Sequence, residues 1–182
     1  MNFARIIRWV VLALMIMTGS VALPQKIKSD FNPNYNSASL KKFAFAPMNP
    51  KDPLSTHPEV AEKIRADLKT QLEKIGMQED DTHPDFLVAF SASKQTSTST
   101  YSSPPTSWTS QNEVWTTDYT VGTLVSDFLD PSTKQPFWRG TATETVYAGT
   151  LQKYIPKGVQ KLIEAFQKDA EKQRKEAAKD QR

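Results

Sequence analysis

Two β-rich runs around a turn-forming stretch constrain the fold of this chain more than any other feature. The first run, residues 121–129, reads VGTLVSDFL, and the second, residues 136–146, reads PFWRGTATETV. The residues between them are DPSTKQ. Two runs rich in β-branched and aromatic residues, separated by a Pro/Ser/Thr turn, are typical of an antiparallel hairpin. We therefore expect a sheet that contains this pair of strands.

Three other segments have the residue pattern of strands. Residues 25–30 alternate loosely, and residues 40–47 place Phe43 and Phe45 on one side. Such alternation indicates a half-buried strand. Residues 85–92 are apolar on both sides over FLVAF, which is typical of a strand in the centre of a sheet.

Two segments have the spacing of amphipathic helices. Thr56 and Glu59 have the form of a capping box, so we expect a helix to begin there. It should end near Ile75, with Gly76 in the left-handed position. The second helix is expected over residues 151–167. The apolar stripes are Val60, Ile64, Leu68, Leu72 and Ile75 in the first, and Ile155, Val159, Leu162, Ile163 and Phe166 in the second.

These elements predict an α+β domain in which an antiparallel sheet of four or five strands carries two helices on one face. In the hairpin, Trp138 shares one side with the small residues Gly140 and Ala142. A large indole beside small neighbours is a core arrangement. We expect the core to include Trp138, Phe86, Val88, Leu68 and Phe166.

The hairpin, with PDFLVAF at 84–90 and LKKFAFAP at 40–47, resembles the DUF4136 family over most of the chain after residue 24. Its members are small bacterial envelope proteins, usually made as lipoproteins, of undetermined function. The resemblance implies a compartment and an architecture, but no activity. Lys134 and Pro136 depart from the family pattern, which commonly has a glycine and an apolar residue at these places. These departures should loosen the start of the hairpin without removing it.

The first 22 residues have the features of a secretory signal. Arg5 and Arg8 make the start basic, an apolar run follows, and Ser20 and Ala22 are small residues suited to a cleavage site. We expect cleavage after Ala22, which leaves the α+β domain over residues 23–167. The alternative is an uncleaved membrane anchor, because the uncharged apolar stretch falls just inside the length that spans a bilayer.

The chain has no cysteine. Members of the family typically carry a cysteine at the end of the signal that accepts the lipid, whereas this chain has VALP at 21–24. We therefore expect a non-lipidated periplasmic or secreted protein. Disulfides, thiol nucleophiles and cysteine-based metal sites are excluded.

The charge distribution argues against a nucleic-acid partner. The formal net charge is +3, and it falls to +1 when Arg5 and Arg8 are removed with the signal. The remaining basicity lies near the C-terminus, so no compact phosphate-binding surface is indicated. We expect residues 168–182 to form a solvated, fraying charged tail, with contact to anionic lipid or to an acidic partner as the alternative.

Residues 91–120 are about half Ser and Thr and carry Pro104 and Pro105. Such a stretch buries too little apolar surface to order itself, so we expect a mobile loop or an extended hairpin. The alternative is a recognition arm, because exposed aromatic rings stack on sugars or anchor a partner protein. The candidate recognition residues are Tyr101, Trp108, Trp115 and Tyr119.

No catalytic, cofactor-binding or metal-binding residue is predicted. Asp127 and Asp130 are three positions apart, which points them to opposite faces of a strand, and Asp127 is better placed to pair with Arg139 across the hairpin. The two histidines, His57 and His83, each precede a proline and have no second ligand at metal spacing. Nucleophile-elbow and phosphate-loop motifs do not occur, so no cofactor is expected.

The sequence therefore favours a non-enzymatic exported protein that binds another envelope protein or a cell-wall component through an open sheet face or the 91–120 arm. One alternative is a hydrolase of cell-wall material with an unrecognised site. Another is a membrane-tethered assembly or stress factor, which requires an uncleaved signal. Contact with a membrane is expected only in that last case.

Overall fold

The computed structural model describes residues 25–37, 39–102, 114–147 and 150–180. The strands are β1 (Lys26–Phe31), β2 (Lys42–Phe45), β3 (Gln78–Glu79), β4 (Phe86–Ser102), β5 (Val114–Leu129) and β6 (Pro136–Val146). The helices are α1 (Pro58–Lys74) and α2 (Ile155–Asp180). A short 3₁₀ turn precedes each helix, at Pro53–Thr56 and Leu151–Tyr154.

The described strands form one six-stranded sheet in the order β1-β6-β5-β4-β2-β3. The pairs β1–β6, β6–β5 and β5–β4 are antiparallel, whereas β2 is parallel to both of its neighbours, β4 and β3. The expectation of four or five antiparallel strands is thus wrong in detail, although the α+β class with two helices is confirmed. The physical reason is α1, because a helical crossover between neighbouring strands brings them into parallel pairing.

Both helices pack on one face of the sheet. Every second side chain along each strand points to that face and fills the layer between the sheet and the helices. All five expected core residues lie there: Trp138 is 1% exposed, Phe166 is 2% exposed, and Phe86, Val88 and Leu68 are fully buried. The ring of Trp138 lies 4.7 Å from that of Phe128 and 5.4 Å from that of Phe166, which joins the sheet to α2.

Helix α1 begins one residue later than the capping box at Thr56 predicts. Thr56 belongs to the 3₁₀ turn and donates its hydroxyl to the carbonyl of Pro53 at 2.9 Å. His57 is the N-cap and gives no side-chain hydrogen bond, while Pro58 takes the first helical position. The helix ends as expected, because Gly76 adopts a φ of 87°.

Helix α2 continues to Asp180, well beyond the predicted end near Gln167. Ala170 is 7% exposed, and Gln173 binds the loop before β2. Outside those contacts, ion pairs such as Lys175–Glu171 at 2.7 Å support the helix. The prediction of a purely solvated tail is therefore wrong for the first turns after residue 168.

The turn between β5 and β6 keeps the predicted hairpin despite both departures from the family pattern. The carboxylate of Asp130 accepts hydrogen bonds from the backbone N–H groups of Ser132 and Thr133 at 2.9 and 2.7 Å. Lys134 takes a φ of 59°, a left-handed conformation that glycine adopts more easily. Pro136 pairs with Leu129 at a register irregularity. The strain at Lys134 is thus balanced by the Asp130 turn.

The predicted signal, residues 1–22, lies outside the described residues. Within residues 25–180, apart from the gaps given above, no helix combines the length and apolar character needed to cross a membrane.

Candidate functional site

A two-stranded ribbon projects from the sheet between β4 and β5. Strand β6 ends where Val146 pairs with Thr120, but β4 and β5 stay paired to Ser102 and Val114. The ribbon consists of residues 97–102 and 114–119. Of the two expectations for residues 91–120, the extended hairpin is confirmed for 91–102 and 114–120, and the mobile loop is wrong for these residues.

Hydroxyl and carboxylate groups hold the ribbon together in place of a core. Thr96 and Thr120 face each other at 3.2 Å, and the hydroxyl of Thr98 donates to Asp118 at 2.6 Å. Ser and Thr have little apolar surface to bury, so pairing comes from the backbone ladder and from these cross-strand contacts. This explains how a polar segment forms regular strands.

Large apolar side chains on and beside the ribbon are open to solvent. Tyr101 is 58% exposed and Val114 is 60% exposed. Trp115 occupies the strand position opposite Tyr101. Tyr119 contacts Tyr147 with ring centroids 6.0 Å apart, and Tyr147 is 54% exposed. Alternation places Tyr101 and Tyr119 on one face of the ribbon and Val114 on the other, so both faces present apolar surface that a partner could contact.

The ribbon accounts for three of the four candidate recognition residues. Tyr101, Trp115 and Tyr119 belong to its two strands, whereas Trp108 lies outside the described residues. Sequence reasoning missed Val114 and Tyr147, because neither is an obvious arm residue until the strands are paired. Pairing the two runs as a hairpin would have identified Val114, because the pairing shows which side chains lack neighbours on the adjacent strand.

Asp127 and Arg139 form the predicted cross-strand pair on the helix-free face. Arg139 Nε donates to Asp127 Oδ1 at 2.6 Å, and its terminal N–H donates to Oδ2 at 2.8 Å. This hydrogen bond and the negative charge raise the pKa of the Arg139 guanidinium. Asp130 is separate from the pair, and hydrogen bonds from the Thr133 backbone lower its carboxyl pKa. Asp127 thus fixes the register of the hairpin and Asp130 stabilises its turn, and the two carboxylates do not share a proton.

Neither histidine lies in a cluster suited to a metal ion. His57 stands at the start of α1 with 57% of its side chain exposed, and the backbone N–H of His83 donates to Asp80 Oδ1 at 3.0 Å. Across the described parts of the chain, no group of three or more His, Asp and Glu residues is placed to hold a metal. Both histidines are thus found at element boundaries.

A hollow of about 460 Å³ lies beside β4, between Met48 and Asp127. Its carboxylates are Asp52, Glu62 and Asp127, and the hydrogen-bond partners of Asp52 and Asp127 lie outside the hollow. Asp52 accepts the backbone N–H of Leu54 at 2.8 Å, and Asp127 binds Arg139. Arg65, on another wall, lies 4.4 Å above the ring of Phe45. These groups therefore support turns and packing.

Comparison with solved structures shows the fold. A PDZ domain protein from Parabacteroides distasonis is similar with a TM-score of 0.55 and 13% identity, over 85% of this chain and 38% of that one. This chain therefore spans well under half the length of that protein. A PelC dodecamer from Paraburkholderia phytofirmans has a TM-score of 0.44 and 12% identity, over 77% of this chain and 95% of that one.

Sequence comparison gives one family. A family model described as a domain of unknown function, DUF4136, matches residues 27–166. The match begins in β1 and ends within α2, so it includes every strand and the ribbon. Comparison with curated proteins gives no match.

Proposed function

The chain belongs to the DUF4136 family, and from that premise we propose that it is a non-enzymatic binding module of the bacterial cell envelope that holds a partner through the ribbon. The partner is an envelope protein or a component of the cell wall. The observation that carries this proposal is the exposure of Tyr101 and Val114 on the paired strands of the ribbon.

The position of these side chains supports binding more than packing. Burial of each side chain would be favourable, yet both stay more than half exposed, Tyr101 on one face of the ribbon and Val114 on the other. The polar hydroxyl groups around them offer hydrogen bonds to sugars or to a peptide backbone. Tyrosine adds a flat ring that contacts a partner at low cost in side-chain entropy.

Export of the protein is the second part of the proposal. It is supported by the basic start, the apolar run and the small residues at 20–22. Mass spectrometry of the protein recovered from its producer should show a chain that starts at Leu23. A chain that keeps residues 1–22 would instead favour the membrane-tethered alternative.

Site-specific crosslinking in intact cells tests the ribbon. A photoreactive amino acid at position 101 should attach one envelope component, while the same group at Gln167, exposed on α2, should not. Tyr101→Ser combined with Val114→Ser should abolish capture by a reporter placed at Thr100. Identical products from positions 101 and 167, or capture that survives the double substitution, would overturn the proposal.

A further inference from the structure

A groove opens on the helix-covered side of the sheet, at the base of the ribbon, where α1 and α2 begin. Its volume is about 630 Å³, which lies within the range of small-molecule sites. Its apolar surface comes from both helix starts, both 3₁₀ turns and the sheet, and includes Leu54, Val60, Ile64, Leu124, Leu151 and Ile155. The exposed ribbon residues Tyr101 and Val114 and the Asp127–Arg139 pair do not line this groove.

The floor of the groove changes from apolar to charged along the strands. Ala92, Leu124 and Ala142 lie side by side on β4, β5 and β6. Two positions towards the ribbon, the corresponding residues are Lys94, Gly122 and Glu144. All six line the groove. A molecule lying on this floor meets apolar surface at the inner end and charge at the outer end.

Lys94 and Glu144 form opposite sides of the charged row. Two strand spacings separate them, about 10 Å between backbones. Gly122 stands between them without a side chain, and a Cβ there would lie 2.7 Å from Leu151 Cδ2. Among the residues that the structure describes, neither Lys94 nor Glu144 forms an ion pair within 4 Å. The row thus presents one positive and one negative group.

The wall beside Glu144 carries a second acceptor. The amide oxygen of Gln25, Oε1, is buried and has no hydrogen-bond partner in the described part of the chain. Such an acceptor destabilises the fold, but it is closed to the groove. Glu144 also lines the groove, so this wall favours a ligand that brings N–H donors and positive charge to that carboxylate.

The other charged groups on the rim decide against a simple anion. His57 and Glu59 stand at the start of α1 and also line the groove. The groove thus has one lysine, Lys94, and two carboxylates, Glu59 and Glu144. A ligand that carries only negative charge would be repelled from the Glu144 side. A ligand with both charges satisfies both sides.

We infer that the groove binds a zwitterionic amphiphile with a single acyl chain and a phosphoethanolamine head, of the lysophosphatidylethanolamine type. The acyl chain lies on Ala92, Leu124 and the apolar walls. Lys94 contacts the phosphate, and Glu144 accepts the N–H groups of the ammonium.

Calorimetric titration of the protein, purified in the form in which the cells accumulate it, tests the inference. The ligands are palmitoyl lysophosphatidylethanolamine, palmitoyl lysophosphatidylglycerol and palmitate, each below its micelle concentration, and glycerophosphoethanolamine as the head alone. The first should bind at least tenfold more tightly than the second and third, and the head alone should not bind. Equal affinity for the three acyl ligands would overturn the inference, as would no binding of the first.

Substitutions separate the head from the chain. Glu144→Gln should remove the preference for the ethanolamine ligand, and Lys94→Met should weaken both phospholipids about tenfold. Glu73→Gln, an exposed carboxylate at the far end of α1, is the matched control and should change nothing. Ala92→Phe should block every acyl ligand. Because that variant can also disturb folding, its melting curve is compared with that of the parent protein. The two charge variants test the inference independently of it.

The apolar segment before Gln25 is the competing occupant. If the chain that retains residues 1–24 binds no lipid and the chain that starts at Leu23 does, a lipid site in the mature protein is supported. If neither form binds until residues 23 and 24 are also removed, the groove is filled by the protein itself and the inference fails.

Discussion

Trp138 joins the sheet to α2 by packing and by a hydrogen bond. It is 1% exposed, and its Nε1–H donates to Asp169 Oδ2 at 3.0 Å. Trp138→Ala should lower the free energy of unfolding by about 3–5 kcal/mol, because it leaves a large cavity beside Phe128 and Phe166. Trp138→Phe should cost less, since it keeps part of the packing and loses the hydrogen bond. Chemical denaturation measures both, and an unchanged midpoint for Trp138→Ala would contradict the packing described here.

Ser126 is a buried polar residue without a partner. It is fully buried on the helix-covered face of β5, and its hydroxyl has no hydrogen bond within the described residues. Ser126→Ala should therefore raise the free energy of unfolding by about 1 kcal/mol, because it removes an unsatisfied group at little cost in volume. Ser93→Ala, at an exposed position of β4, is the control and should leave the melting temperature unchanged. A lower melting temperature for Ser126→Ala would mean that the hydroxyl has a partner.

Among the elements, the helices and the β5–β6 hairpin were predictable because their signals are local. Periodicity located both helices, and β-branched runs around a turn located the hairpin. The parallel position of β2 was not predictable, since alternation reveals the buried side of a strand and not its neighbour. The two-residue strand β3 is too short to leave a pattern. The candidate recognition residues were found by type, but their pairing in a ribbon was hidden by a polar composition.

The extension of α2 depends on contacts between distant parts of the chain. Gln173 Oε1 accepts the hydroxyl of Ser37 at 2.8 Å, and Gln173 Nε2 donates to the carbonyls of Pro33, at 3.1 Å, and Tyr35. Gln173→Ala should lower the free energy of unfolding by about 1–2 kcal/mol, since two backbone carbonyls and a hydroxyl lose their partner. Its control is Gln167→Ala, at an exposed position of the same helix.

Thermal unfolding of the two variants measures this difference. Equal melting temperatures would show that the last turns of α2 hold the helix without the loop. No local pattern announces such a contact, because the residues that meet lie at opposite ends of the chain.

For the whole molecule, stability should fall in acid. The side chain of Lys42 donates to Asp80 at 2.8 Å, and with the backbone N–H groups of His83 and Thr82 it lowers the pKa of that carboxyl. The carboxyl pKa values of Asp130 and Glu171 are lowered as well. A carboxyl with a lowered pKa in the folded state stabilises the fold above its unfolded pKa, and this contribution is lost as the pH falls towards the folded value.

The melting temperature should therefore drop below about pH 4, the usual pKa of an unfolded aspartate. Asp80→Asn should melt lower than the parent at pH 7 and lose less on acidification. Circular dichroism between pH 7 and pH 2 measures both effects. Parallel curves for the two proteins would show that Asp80 takes no part in the acid transition.

The pairing of β1 with β6 has a kinetic consequence. Lys26 lies opposite Thr143, so most of the chain separates two neighbours in the sheet. Contacts between such distant segments form late, because the loop that closes them must first lose its freedom. The first strand of the sheet to leave the ribosome thus stays without its neighbour until β6, near the end of the chain, has been made.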